Sequence, residues 1–151
     1  MPHRASAHGD PVEELAGALH SAAIHLLRRL RKEDVASGLS PARLSALSVV
    51  VFGGPLRVSD LARAEQVRTP TMTPIVAALE SEGLIVRSPD PTDARAAILT
   101  ATAKGKKLMA AGRARRVSVL AAQLRALRAP DRAVLARAAA LLHGITRERV
   151  L

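Results

Sequence analysis

Residues 69–100 read TPTMTPIVAALESEGLIVRSPDPTDARAAILT, and the fold turns on how this stretch divides. Ile75, Val76 and Leu79 fall on one helical stripe. Thr69 can cap that helix with Pro70 at its first position, and Gly83 supplies the stop. Pro74 lies one turn in and lacks a backbone donor. Either the helix begins later, with Thr71 as its cap, or its first turn is bent. From Leu84 the pattern changes: LIVRS reads as a short strand, PDPTDAR as a loop and AAILT as a return strand. The stretch is therefore a helix followed by a hairpin, with Asp93 and Arg95 at the hairpin tip.

Upstream, LSPARLSALSVVVFGGP (residues 39–55) has Ser40 as a cap, Pro41 at the first helical position and Gly53-Gly54-Pro55 as the end signal. A short helix follows over about 59–65, with Leu61 and Ala62 facing inward, and a turn at 66–68 joins it to Thr69. Three helices and then a β-hairpin is the winged helix-turn-helix arrangement. Further out, residues 1–9 read as a disordered N-terminus. Asp10 and Pro11 open a helix that ends near Val35, with Glu13 completing a capping box. Residues 102–128 read as one long helix weakened by Gly105 and Gly112, and Pro130 opens a last helix carrying Val134, Leu141 and Ile145 on its apolar side.

Composition agrees with a mainly helical chain. Of 151 residues 48% are hydrophobic, mostly Ala, Leu and Val, with Phe52 the single aromatic. The absence of Cys excludes disulfides, thiolate chemistry and cysteine-based zinc sites. No apolar run reaches the length of a membrane span, and no signal-peptide core precedes the first helix, so the expectation is a cytoplasmic protein with no membrane partner. The formal charge of +10 points to a polyanion. Arg outnumbers Lys 19 to 4, a bias that a GC-rich genome would also produce.

The blocks VSDLA (58–62), TPTMTPIVAALESEGLI (69–85) and DARAAILTATAKG (93–105) together resemble the MarR family of bacterial transcription regulators. The family's wing pattern of Asp-x-Arg, then Leu-Thr, then a Gly in the following helix is met by Asp93, Arg95, Leu99, Thr100 and Gly105. The resemblance implies a mainly α fold with a small β-hairpin wing: a winged helix-turn-helix domain (40–101) flanked by an N-terminal dimerisation helix (10–39) and C-terminal dimerisation helices (102–151). It also implies a homodimer. Leu-rich terminal helices with little of their own chain to cover them agree with that, although they could instead fold back on the winged domain.

For DNA, the expected contacts are Arg68, Thr69, Thr71, Met72 and Thr73 around the start of the helix at 69, where hydroxyls and methyls meet phosphates and base edges. The same residues could merely cap and solvate the helix. By the resemblance, Arg95 enters the minor groove and Asp93 braces it by a salt bridge; the bland alternative is a surface ion pair. Lys104, Lys106 and Lys107 are expected to reach flanking phosphates. Residues 57–100 hold five Arg against six acidic residues, whereas 101–128 hold eight basic residues and no acid. The excess charge therefore sits beside the expected reading head rather than on it.

The expected function is a sequence-specific regulator, in this family more often a repressor, binding a pseudo-palindrome in double-stranded DNA. Release by a small-molecule effector is left open, with no ligand-binding residue assigned among His25, Arg28 and Arg29. The rival is a winged-helix dimer serving as a protein-interaction module. The five His residues lack the acidic neighbours of a metal site, so neither metal nor cofactor is expected. With no nucleophile elbow, phosphate loop or paired carboxylates, neither is an enzyme.

Overall fold

Capping decides where the helices begin. Asp10 Oδ1 accepts the Val12 backbone N–H at 2.9 Å, with Pro11 behind it. Ser40 Oγ accepts that of Arg43 at 3.4 Å, with Pro41 behind it. Both follow from short oxygen-bearing side chains satisfying donors that have no partner in the first turn. The computed structural model describes residues 10–147, with the side chains of Ala94, Arg95, Thr146 and Arg147 outside the described set. The expected disorder of residues 1–9 lies outside the described residues.

The order is α1 (Pro11–Leu30), a 3-10 segment (Arg31–Ser37), α2 (Pro41–Gly53), β1 (Leu56–Arg57), α3 (Val58–Ala64), α4 (Thr69–Ser81), β2 (Ile85–Asp90), β3 (Asp93–Ala101), α5 (Ala103–Arg125) and α6 (Ala129–Arg147). The first helix is shorter than its pattern predicts, because the chain tightens into the 3-10 segment before Gly38. The cap of α4 is Arg68, not Thr69: the Arg68 carbonyl accepts from Thr71 at 3.0 Å and from Met72 at 3.2 Å. The helix passes through Pro74 without a late start. The bond that Pro74 forgoes is to the Pro70 carbonyl, and both residues are exposed, so water can replace it.

The chain divides into two units, residues 1–113 and 114–151. The first holds the core. Leu47 and Val50 of α2, Leu61 of α3, Val76 and Leu79 of α4, and Leu99 of β3 are buried together. Each fully buried Leu contributes about 1.5–3 kcal/mol. Met72 belongs to this core and is 1% exposed. Its position follows from spacing: 72, 76 and 79 share one helical face, so the stripe that buries Val76 and Leu79 carries Met72 inward too.

The sheet has three antiparallel strands in the order β1-β3-β2. The two-residue β1 was not visible in the sequence pattern; it pairs Leu56 with Leu99 and Arg57 with Ile98. The hairpin is also longer than expected. Pairing continues from Ile85↔Ala101 to Asp90↔Asp93, with an irregularity between Pro89 and Asp90. The expected loop at 89–95 thus contracts to a Pro91-Thr92 turn, and Asp93 and Arg95 lie on β3.

Two glycines have specific work here. Gly83, at φ +69°, makes the left-handed exit from α4 that an L side chain resists. Gly105 is where α5 crosses the start of the hairpin: a Cβ there would stand 2.2 Å from the Leu84 carbonyl oxygen. The crossing is fastened by Thr102, whose Oγ1 donates to the Gly83 carbonyl at 2.7 Å and accepts the Gly105 N–H at 3.1 Å. The expectation that Gly105 weakens α5 omits this close approach.

In α1 no residue is buried, and Leu15 is 61% exposed. In the second unit, no side chain described between 114 and 145 is buried, and Val134, Leu141 and Ile145 are each more than 60% exposed. No single described helix is long and apolar enough to cross a membrane; only Pro11–Ser37 with Pro41–Gly53 passes by composition, as a pair bent by 91°.

Candidate nucleic-acid interface

The first turns of α4 are a polar platform. Arg68, Thr69, Thr71 and Thr73 are all exposed around the helix N-terminus, where early backbone N–H groups lack intrahelical acceptors and favour an anion. Thr73 Oγ1 donates to the Thr69 carbonyl at 2.9 Å, which leaves its hydroxyl oxygen as an acceptor. The fifth residue expected here, Met72, does not join them. Its side chain is held inside by the core stripe, and its expected contact with a thymine methyl is corrected accordingly.

The acidic residues around this platform are occupied. Glu80 pairs with Arg87 at 3.0 Å, Glu82 with Arg43 at 2.6 Å, Asp60 with Arg63 at 3.2 Å and Asp90 with Arg57 at 2.6 Å. Glu65 accepts Ser45 Oγ at 2.9 Å. Arg68, by contrast, has no ion-pair partner among the described residues. The near-neutral charge count of 57–100 therefore conceals an uneven surface, with compensated pairs around an open guanidinium at the helix start.

Next to the hairpin turn, Asp90 is the one buried charged side chain among the described residues. Its Oδ1 accepts the backbone N–H of Thr92 at 2.8 Å and the Thr92 hydroxyl at 2.7 Å, and its Oδ2 accepts Arg57 Nε at 2.7 Å. The two Thr92 hydrogen bonds, reinforced by the Arg57 guanidinium, hold the Asp90 carboxyl down at about 2 against the opposing effect of burial. The same contact raises Arg57 above its ordinary value. Sequence reading missed this group. Arg57 and Asp90 are 33 positions apart, and the only signal was a lone Arg between two apolar residues ahead of α3.

Asp93 is exposed at the start of β3. Its expected ion pair with Arg95 falls on a side chain outside the described set. Lys106 and Lys107 are exposed in the first turns of α5. Lys104 is exposed as well, but its Nζ donates to the Glu82 carbonyl at 2.6 Å, at the C-terminal end of α4. Its ammonium thus has a local acceptor that favours a cation at that helix end, which weakens its candidacy as a phosphate contact. On α1, Arg28 lines a surface hollow with Ile24, Leu27 and Arg31; His25 and Arg29 do not line it. No metal-holding group of His, Asp or Glu occurs among the described residues.

The MarR family model matches residues 39–97. A helix-turn-helix-type transcriptional regulator of Mycobacterium bovis is 34% identical over 139 residues, spanning 92% of this chain and 97% of the relative. A transcriptional regulator of Thermotoga maritima superposes with a TM-score of 0.80 at 26% identity, over 90% of this chain and 96% of that one. The MepR F27L mutant of S. aureus, solved bound to an oligodeoxyribonucleotide, shares the fold with a TM-score of 0.67 at 18% identity, over 87% and 97% of the two chains.

Proposed function

The chain belongs to the MarR family of transcriptional regulators, and from that premise we propose that it works as a homodimeric repressor of a pseudo-palindromic operator. Members of this family act by binding DNA rather than by catalysis. One observation carries the proposal: the N-terminus of α4 exposes Arg68 and three Thr side chains, with the surrounding acids compensated. The MepR structure supports it, since a chain of this fold was captured on an oligodeoxyribonucleotide.

In this reading α4 lies in the major groove. Arg68 takes a guanine edge or a phosphate, and Thr69, Thr71 and Thr73 take phosphates and base edges. Asp93 and Arg95 on β3 address the minor groove, where a guanidinium meets concentrated negative potential. Lys106 and Lys107 meet flanking phosphates, with Lys104 a weaker candidate. The uncovered apolar faces of α1 and α6 support the dimer, because such faces are stable when a second copy covers them. A dimer presents two reading heads, which suits half-sites about one helical turn apart. An effector stays part of the proposal. The hollow lined by Ile24, Leu27, Arg28 and Arg31 would suit an amphipathic anion.

Selection of genomic DNA fragments on the purified protein tests this, run beside Arg68→Ala and Arg95→Ala at fixed salt. A short palindrome enriched by the wild type and relaxed in both variants is the expected result. If about six phosphates are neutralised per dimer, log K should fall against log salt with a slope near −5. Equal retention by all three proteins without sequence preference would reject the reading and favour the interaction module.

A further inference from the structure

Asp90 is buried at the tip end of the hairpin, next to the Pro91-Thr92 turn, and the DNA contacts proposed above do not use it. Its partners come from β1 and from the turn that follows it. Arg57 belongs to β1, which pairs with β3 alone, whereas Asp90 ends β2 on the other side of β3. The guanidinium therefore ties the two outer strands together across the central one. Arg57 Nε and Nη2 lie 2.7 and 2.6 Å from Asp90 Oδ2, and Nη2 donates further to Thr92 Oγ1 at 3.2 Å. Thr92 closes the ring on Oδ1 through its backbone N–H and its hydroxyl. Both carboxylate oxygens thus accept charge-assisted bonds, two Arg57 nitrogens on one and Thr92 on the other.

The location matters more than the count of bonds. The ladder between β2 and β3 is regular from Ile85 to Pro89 and loses register between Pro89 and Asp90. Pairing resumes at Asp90↔Asp93, but across the shift the regular ladder alone does not dictate the backbone direction. The ring sits at this irregularity: Asp90 faces Asp93 in the last pair before the Pro91-Thr92 turn, and Arg95 lies on the stretch of β3 between Asp93 and Ala97 where the register shifts. We propose that Arg57, Asp90 and Thr92 are positioning residues for the wing: they touch no DNA, and they fix the direction in which Asp93 and Arg95 leave the sheet. This rests on the wing assignment made above. A side chain that must enter a narrow groove loses affinity when its base is free to swing.

The test measures affinity for a selected DNA site across a salt series, with circular dichroism melts of the same samples. The variants are Arg57→Ala, Arg57→Lys, Asp90→Asn, the double Arg57→Ala/Asp90→Asn and Thr92→Val. The expectation is about tenfold weaker binding for Arg57→Ala, Arg57→Lys and Asp90→Asn, within the range seen when one specific contact is lost. The salt slope should match that of the wild type, because no phosphate contact is removed. The double variant should bind little worse than either single one, as members of one network do. Thr92→Val keeps the ion pair and should show a smaller loss in the same direction; it decides the matter if the other variants melt below the assay temperature.

Three results would overturn the inference. In the first, Arg57→Lys binds like the wild type while Arg57→Ala loses affinity with a shallower salt slope, which makes Arg57 a phosphate contact. In the second, all variants bind like the wild type, so the ring has no bearing on DNA. Both leave the regulator reading standing. In the third, the wild type selects no sequence at all, which removes the regulator reading and the inference with it.

Discussion

Replacing Gly105 by Ala sets two effects of opposite sign against each other. Gly105 lies in the first turn of α5, where Ala is the better helix former by up to about 1 kcal/mol. The space around it is closed. The new Cβ would meet the Leu84 carbonyl oxygen at 2.2 Å and Leu47 Cδ1 at 3.3 Å. The first distance is more than about 1 Å short of ordinary van der Waals contact, and the obstacle is backbone, which cannot rotate aside. Moving α5 outward would strain the Thr102 bonds to the same carbonyl, which run at 3.1 Å from both its N–H and its hydroxyl. Overpacking costs about 1–3 kcal/mol, and a weakened hydrogen bond adds about 1 kcal/mol. The net expectation is a loss of about 2 kcal/mol, or about 4–8 °C in melting temperature.

Gly53→Ala is the control. Nothing lies within 4 Å of its added Cβ, so it should be neutral or stabilising by up to about 1 kcal/mol. The chain has no Trp or Tyr, so the melts should be followed by far-ultraviolet circular dichroism, at equal protomer concentration because the proposed dimerisation would shift the midpoint. A Gly105→Ala protein as stable as the wild type would refute the packing argument and return Gly105 to the role of a simple helix weakener.

Three further expectations follow from the same structure. Met72→Ala should lose about 2–5 kcal/mol by opening a core cavity, whereas Thr71→Ala should stay within about 0.5 kcal/mol; equal and small effects in urea titrations would put Met72 back on the surface. Gln66 sits at φ +56° between α3 and α4, so Gln66→Gly should stabilise by about 0.5–1 kcal/mol and Gln66→Val should destabilise by about 1–2 kcal/mol; the reverse order in thermal melts would contradict the left-handed turn. The Asp90 carboxyl is depressed from 3.8 to about 2, so its charged form contributes stability that is complete above pH 3.8 and lost as pH falls towards 2; the stability gap between wild type and Asp90→Asn should narrow over that window, and a constant gap would mean that the Asp90 charge is unperturbed by folding.

What could be read from the sequence was what lies in local order. Caps such as Asp10 and Ser40, the stop at Gly83 and the apolar stripe of α4 act within a few residues of one another, so their residues state them directly. Met72 was misread because its two Thr neighbours suggested a polar turn, although its spacing from Val76 and Leu79 already placed it on the buried face. Strand β1 is two residues long, too short for any alternation to show. The Arg57–Asp90–Thr92 ring depends on strand order, which brings together residues 33 positions apart. The reason for Gly105 lies equally far off, in the carbonyl of Leu84. Tertiary approach of this kind leaves no periodic trace in a single chain.

The compensated acids around α4 have a kinetic consequence. Coulombic capture of a polyanion operates over about a Debye length, roughly 8–10 Å at physiological salt, and here most of its source is the run of eight cations in residues 101–128. In the proposed DNA complex, discrimination between sequences would operate at hydrogen-bond range, through the α4 platform. The two tasks are therefore separable. Raising ionic strength should slow the encounter with DNA of any sequence while changing little in the ratio of dwell times on right and wrong sites. In that complex the chain would search with one segment and decide with another.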